Sequence, residues 1–265
     1  MNIVVCVKHV PDSTADRRFE GDSTVDRVGV DGLLSELDEY AVEQSLQIRE
    51  SAGDDSTVTV LTVGPAQATD AIRKSLQMGA DKGVHVLDDA IAGSCALSTS
   101  LVLAEAVKKI GDWDLVVCGM ASTDGSMGVL PAMLAERLGV PGVTLGSAIT
   151  VSEGDGGTVT IRRDGDSATE TVEGTLPLVA SVTDQSGEAR YPSFKGIMAA
   201  KKKPLETWSL ADLGVDAELV GLAAASSVVE ATQARPPRTA GQVVTDEDGS
   251  GAAALVDFLA AKKFI

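Results

Sequence analysis

The feature that most narrows the fold is an alternation. Short apolar runs rich in Val and Ile recur along residues 1–145, separated by stretches with helical spacing. Strand candidates fall at 3–7, 57–63, 83–87 and 115–118, and helix candidates at 36–50, 66–78 and 98–110, with a further helix ending at Leu138. The breakers agree: Gly64-Pro65 stops a strand, and Gly79, Gly111 and Gly139 stand just beyond helices. Strands alternating with helices of this length predict βαβ units and a parallel sheet. Hydrophobic residues make up 44% of the chain but aromatics only 3%. The core is therefore one of Val, Leu, Ile and Ala, which suits a sheet covered by helices.

After residue 145 the pattern changes. Segments 148–151, 158–162 and 169–172 are short and alternating, with GDGG and DGD between them, and predict an antiparallel meander on one edge. The apolar run 178–182 rejoins the sheet. A short helix is expected within 205–213. Residues 223–248, with RPPR, TAGQ and TDEDGS, read as an extended arm, and 252–263 as a final amphipathic helix. The expected organisation is an α/β domain over 1–204 and a C-terminal arm with its helix over 205–265.

Charge and cysteine usage exclude several classes. With 39 acidic and 22 basic residues the formal charge is −17, which repels phosphate backbones, and few rings are available to stack on bases. Nucleic acid is not an expected partner. Cys6, Cys95 and Cys118 form no CxxC, and only His9 and His85 accompany them, so no metal site is expected. The opening MNIVVCVKHV lacks a basic n-region and a cleavage site. No run reaches the roughly 20 apolar residues of a membrane span. A reducing, cytoplasmic setting without membrane insertion is expected.

The best ligand site is the strand–loop–helix unit 115–139. Ligands of open α/β sheets sit outside the carboxyl ends of strands. Here Gly119, Gly125 and Gly128 permit close backbone approach, Ser122, Thr123 and Ser126 offer hydroxyls, and Pro131 stands in the first helical turn. Free N–H groups at such a helix start favour an anion. The spacing fits phosphate or nucleotide binding, or a plain capped connection. Neither GxxxxGK[ST] nor GxGxxG is present. Asp124 reads as a cap or hydroxyl acceptor. Lys8 and His9, at the end of the first strand, and Val63-Gly64-Pro65 line the same crevice. His9 has no assignable nucleophile partner, and no catalytic set can be named.

The segment RYPSFKGIMAAKKKP, 190–204, places Phe194, Ile197 and Met198 at helical spacing beside Lys201, Lys202 and Lys203. Pro192 and Gly196 limit it to a loop with one short turn. Apolar anchors with a basic rim, to which Arg190 contributes, have the anatomy of a transient docking patch. Packing of the stripe on the chain's own core is the competing reading.

Taken together, VVCVKHVPD, LDEYAVEQSLQIRE, VTVLTVGPAQATDAIRKSLQMGADKGVHV, STDGSMG, RYPSFKGIMAAKKKP and TAGQ resemble, in order and spacing, the beta (small) subunits of electron transfer flavoproteins, of actinobacterial type. The resemblance covers essentially the whole chain. It implies a doubly wound α/β domain of adenine-nucleotide-binding type and a heterodimer with an alpha subunit that holds most of a redox-active FAD. The arm would reach across that partner. It also implies a structural AMP held by Cys6, Ser35, Asp38, Val63 and the loop residues Ser122, Thr123, Asp124, Gly125, Ser126, Met127, Gly128, Val129 and Leu130. Loop 190–204, with Arg190, Tyr191, Phe194, Ile197, Met198 and the three lysines, would dock acyl-CoA dehydrogenases and other flavin dehydrogenases, with Phe194 as anchor. Electrons would pass on to a membrane-bound quinone oxidoreductase, in a pathway such as fatty acid β-oxidation. The loop 10–14 would approach the flavin.

The chain departs from many relatives at Met120-Ala121, Val129, Pro131 and Ser35-Glu36, where polar contacts to a base or phosphate are lost. A bifurcating member with a second FAD that oxidises NADH is the alternative within the family. A stand-alone adenine-nucleotide-binding protein is the alternative outside it.

Overall fold

The computed structural model describes the chain except residues 15, 16, 54, 153–155, 234, 235, 237, 238, 240, 242 and 247. Most of RPPR, and parts of the GDGG, TAGQ and TDEDGS runs, lie outside the described residues. The chain forms two compact units, Met1–Glu230 and Ala231–Ile265.

The first unit starts with β1 (Asn2–Cys6), followed by a small antiparallel ribbon of β2 (His9–Pro11) and β3 (Gly32–Leu34). Next come α1 (Glu36–Ala52), β4 (Thr57–Val63), α2 (Thr69–Met78), β5 (Lys82–Val86), α3 (Ala96–Ile110), β6 (Leu115–Gly119), α4 (Leu130–Leu138) and β7 (Gly142–Gly146). Strands β8 (Ala148–Ser152), β9 (Thr158–Asp164) and β10 (Thr169–Thr175) form a separate antiparallel sheet. The chain returns through β11 (Leu178–Val182), α5 (Phe194–Ala200), β12 (Leu205–Trp208) and α6 (Leu210–Leu213). The second unit carries α7 (Gly251–Ala261), where Leu255, Val256 and Phe258 are exposed and no residue is buried.

The central sheet has seven strands in the order β12-β5-β4-β1-β6-β11-β7, all parallel. Side chains alternate along β1: Ile3 and Val5 enter a core with Leu46 of α1 and Ile72 of α2, while Val4 and Cys6 enter another with Val102 of α3 and Leu134 of α4. Both faces are buried, so the strands read as continuous apolar runs and not as alternating ones. Residues such as Leu46, Ile72 and Leu134 are fully buried, each stabilising the fold by roughly 1.5–3 kcal/mol. Helix α1 is also favoured electrostatically, with Glu36 and Glu39 in its first turn and Arg49 in its last.

Three elements were not anticipated. Strand β7 adds an edge beyond β11, the β2–β3 ribbon is only three residues a side, and β12 pairs with β5 at the other edge. The sequence places residues 205–208 in the arm and within a short helix. They are a strand of the central sheet, the helix being confined to Leu210–Leu213, and the first unit continues to Glu230. The meander lies at the expected positions but forms its own sheet and does not extend the edge.

Candidate functional site

From β1 the chain builds toward β4 and β5 on one side, and β6 then begins the other half. The crevice at the carboxyl ends of β1 and β6 is thus the switch point where ligands of such sheets bind. Cys6 and Cys118 are paired there in register, both buried. A hydrogen bond with Cys6 and burial push the Cys118 thiol up, which keeps it protonated.

The β2–β3 ribbon brings Ser35 back beside the end of β1, where its N–H donates to the Lys8 carbonyl (2.9 Å). Ser35 is buried, and its Oγ accepts from the Thr123 N–H of the glycine-containing loop (3.4 Å). Asp38, one turn into α1, accepts the Lys8 N–H (2.8 Å). Burial pushes its carboxyl up to about 7, although the N–H groups of Lys8 and Gly119 favour the charge. The site therefore brings Cys6, the pair Ser35 and Asp38, and the loop together from three separated stretches of sequence. Val63 is half-buried at the end of β4, on the far side of β1.

In the loop itself Ser126 and Gly128 have left-handed backbones, φ 52° and 66°. Met127 is 62% exposed. No side chain caps α4: Val129 stands at its start without such a bond, and Pro131 brings no N–H. The Leu130 and Ala132 N–H groups are left open toward the loop. This backbone fits an anion such as a nucleotide phosphate. The cations nearby are already engaged. The Asp124 side chain is 3% exposed and is held by Lys8 Nζ (2.9 Å) and Arg27 Nη2 (2.7 Å). Burial opposes its charge, but Lys8 and Arg27 outweigh this and hold the carboxyl well below the usual carboxylate range. Burial lowers Lys8, with Asp124 acting against it. Arg17 adds a bond to the Thr123 carbonyl (3.0 Å). Arg17 and Arg27 carried no motif in the sequence; their contacts span about a hundred residues. His9 is buried in the ribbon, which lowers its pKa, and it meets no nucleophile.

Segment 190–204 is pinned at both ends. Ser193 caps α5 through the Gly196 N–H (3.0 Å). Arg190 forms paired bonds with Glu43 (2.7 and 3.0 Å) and Glu50 (2.6 and 3.1 Å) of α1. Lys203 Nζ donates to the Leu76 and Gly79 carbonyls at the end of α2 (3.0 and 3.1 Å). Between these anchors Tyr191 is 92% exposed, Phe194 81%, Met198 48% and Ile197 37%. Packing of the stripe on the core is thereby overturned. The basic rim also shrinks: Arg190 and Lys203 are used internally, while Lys195, Lys201 and Lys202 remain exposed. A groove of about 400 Å³, lined by Met1, Gln44, Gln47, Ile149 and neighbours, lies at the amino end of β1, away from both sites. Among the described residues no three His, Cys, Asp or Glu side chains converge as a metal site.

The family model for the electron transfer flavoprotein domain matches residues 22–213. The chain is 47% identical over 268 residues to the electron transfer flavoprotein subunit beta of Mycobacterium bovis, covering 100% of this chain and 99% of the relative. The subunit of the same name in Mycobacterium leprae is also 47% identical, with the same coverage. That of Megasphaera elsdenii is 31% identical, covering 100% of both chains. A matching domain over most of the first unit, joined to full-length likeness at this level, makes the chain a member of the electron transfer flavoprotein family, among its beta subunits of actinobacterial type.

Proposed function

We propose that the chain is the beta subunit of a heterodimeric, non-enzymatic electron carrier, with a separate alpha subunit holding most of the FAD. The dimer accepts electrons from acyl-CoA dehydrogenases and other flavin dehydrogenases and delivers them to a membrane-bound quinone oxidoreductase. Bound FAD supplies the redox chemistry. This chain's residues supply shape, docking and support. Among the described residues no helix is long and apolar enough to cross a membrane, consistent with a cytoplasmic carrier that visits the quinone side by docking.

One observation carries the docking half of the reading: segment 190–204 exposes Phe194, Ile197 and Met198 while its two ends are held by ion pairs and a helix-end contact. A carrier must bind briefly and release, and a few preorganised apolar anchors near exposed cations favour fast encounter with modest affinity. The crevice formed by Cys6, Ser35, Asp38, Val63 and residues 122–130 would hold an adenylate, AMP in the carrier reading, which stabilises the fold by mass action. The apolar α7 would pack on the alpha subunit.

Stopped-flow reduction of the reconstituted heterodimer by an acyl-CoA dehydrogenase tests this. Phe194→Ala slows flavin reduction and leaves the flavin spectrum intact; an unchanged rate overturns the docking assignment. Flavin stoichiometry addresses the bifurcating alternative, with one FAD per dimer expected and two overturning the carrier reading. A chain that purifies as a nucleotide-bound monomer and never takes up a flavin-binding partner would instead fit the stand-alone protein.

A further inference from the structure

The donors a phosphate would use in this crevice already hold an anion, and it belongs to the chain. Asp124 Oδ1 accepts from Lys8 Nζ (2.9 Å) and from the Gly125 N–H (2.6 Å), and Oδ2 accepts from Arg27 Nη2 (2.7 Å). Lys8 also reaches Ser122 Oγ (3.4 Å), and Arg27 also donates to the His9 carbonyl (3.3 Å). The carboxylate is turned away from solvent, although the four residues that follow it, Gly125 to Gly128, are exposed. A surface Asp without such a task would face water.

We propose that Asp124 fills the anion subsite of the nucleotide crevice and so acts as an internal competitor of the ligand's phosphate. Two cations and one backbone N–H converge on one carboxylate, Lys8 and Gly125 at Oδ1 and Arg27 at Oδ2, a donor set that would equally serve the oxygens of a phosphate. With Asp124 seated, the positive charge of Lys8 and Arg27 is half neutralised, and the buried Asp38 carboxyl nearby removes more of it when ionised. An incoming phosphate must displace the carboxylate or rest on the open N–H groups of Leu130 and Ala132 alone. The crevice therefore selects its ligand chiefly through the nucleoside and gains little from the phosphate. Removing the charge of Asp124 frees both cations and converts the subsite to phosphate binding.

This inference rests on the adenylate reading for its ligand, but its electrostatic core can be tested without it. Calorimetric titrations of the full chain with AMP, adenosine and inorganic pyrophosphate compare the native sequence with Asp124→Asn. The affinity ratio of AMP to adenosine is expected to rise at least tenfold in Asp124→Asn, and pyrophosphate binding to strengthen by a similar factor. Adding Arg27→Gln to that variant removes the gain. An AMP-to-adenosine ratio and a pyrophosphate affinity that stay within twofold of the native values overturn the inference. If pyrophosphate binding strengthens while neither AMP nor adenosine binds, the subsite assignment stands and the adenylate reading falls. If adenosine binds equally well to both proteins and neither anion gains, the adenylate reading stands and the competitor role falls. Asp124→Ser, which keeps a hydroxyl acceptor for Lys8 and Arg27, serves the same comparison should the amide variant fail to fold.

Discussion

The Asp38 carboxylate fills the space where a side chain on Gly119 would begin. A Cβ at residue 119 would collide with Asp38 Oδ1 and would stand 2.7 Å from the Leu37 carbonyl oxygen. The start of α1 thus rests directly on the end of β6, and this contact closes the floor of the crevice. Two segments far apart in sequence meet there only because residue 119 has no side chain.

Gly119→Ala is accordingly expected to destabilise the chain by about 1–3 kcal/mol, since backbone and not a flexible side-chain tip would have to move. It also pushes Ser35 and Asp38 away from the loop. Chemical denaturation measures the first effect, and weakened nucleotide retention at a temperature where the variant is folded measures the second. A variant as stable as the parent would mean that α1 yields without cost.

Asp38 makes stability depend on pH. Its carboxyl is raised from 3.8 to about 7 in the folded chain. The folded state therefore binds a proton more readily than the unfolded one. The contribution to stability is full below about pH 4, falls as pH rises toward 7 and is flat above. Its size is about 4 kcal/mol over that window. Asp38→Asn does not titrate, so the stability of the native chain relative to this variant should decline by that order between about pH 4 and pH 8. The amide offers one acceptor where the carboxylate offers two, which shifts the whole comparison but not its slope. A pH-independent difference would show that Asp38 ionises in the fold as easily as in water.

The pair Glu43–Arg190 holds the docking segment to α1. The Glu43 side chain is only 5% exposed; burial opposes its charge, and the bonds from Arg190 outweigh burial and lower its pKa. Arg190→Met leaves that carboxylate buried without its partner, at a cost of roughly 3 kcal/mol. Glu43→Gln in the same chain should recover much of the loss, because no buried charge then remains. Denaturation midpoints of the two single variants and the double variant test the coupling. Additive effects would mean that Arg190 acts mainly through Glu50.

How far the sequence revealed this molecule depended on range. The strands of the central sheet are buried on both faces, so 57–63 and 178–182 could be read from apolar runs alone. Strand β12, LETW, carries Glu206 and mostly exposed residues at a sheet edge, and has no such pattern. The β2–β3 ribbon contains Pro11 and is set by its tertiary position. In the crevice, the glycines and hydroxyls of 122–130 were visible because a βα loop is local. The engagement of Asp124 by Arg27 was not, since it spans 97 residues and leaves no periodic trace. The same holds for Arg190, a rim cation by sequence, whose partner Glu43 lies 147 residues away.

Gly196 links the docking helix to the body of the fold. A Cβ there would stand 2.5 Å from the Gln77 carbonyl oxygen, so α5 can lie on the end of α2 only with glycine at this position. Gly196→Ala should lift α5 and misplace Phe194, Ile197 and Met198 without altering their chemistry. The expected loss of stability is about 1–3 kcal/mol, whereas Phe194→Ala, at a side chain 81% exposed, should change stability by less than about 0.5 kcal/mol. Both variants should slow electron acceptance from a dehydrogenase. If Gly196→Ala loses stability but keeps the native rate, the position of α5 does not matter to docking and the anchors work from a mobile segment. If it loses both, while Phe194→Ala loses only rate, the rigid seating of α5 on α2 is part of how the patch recognises its donor.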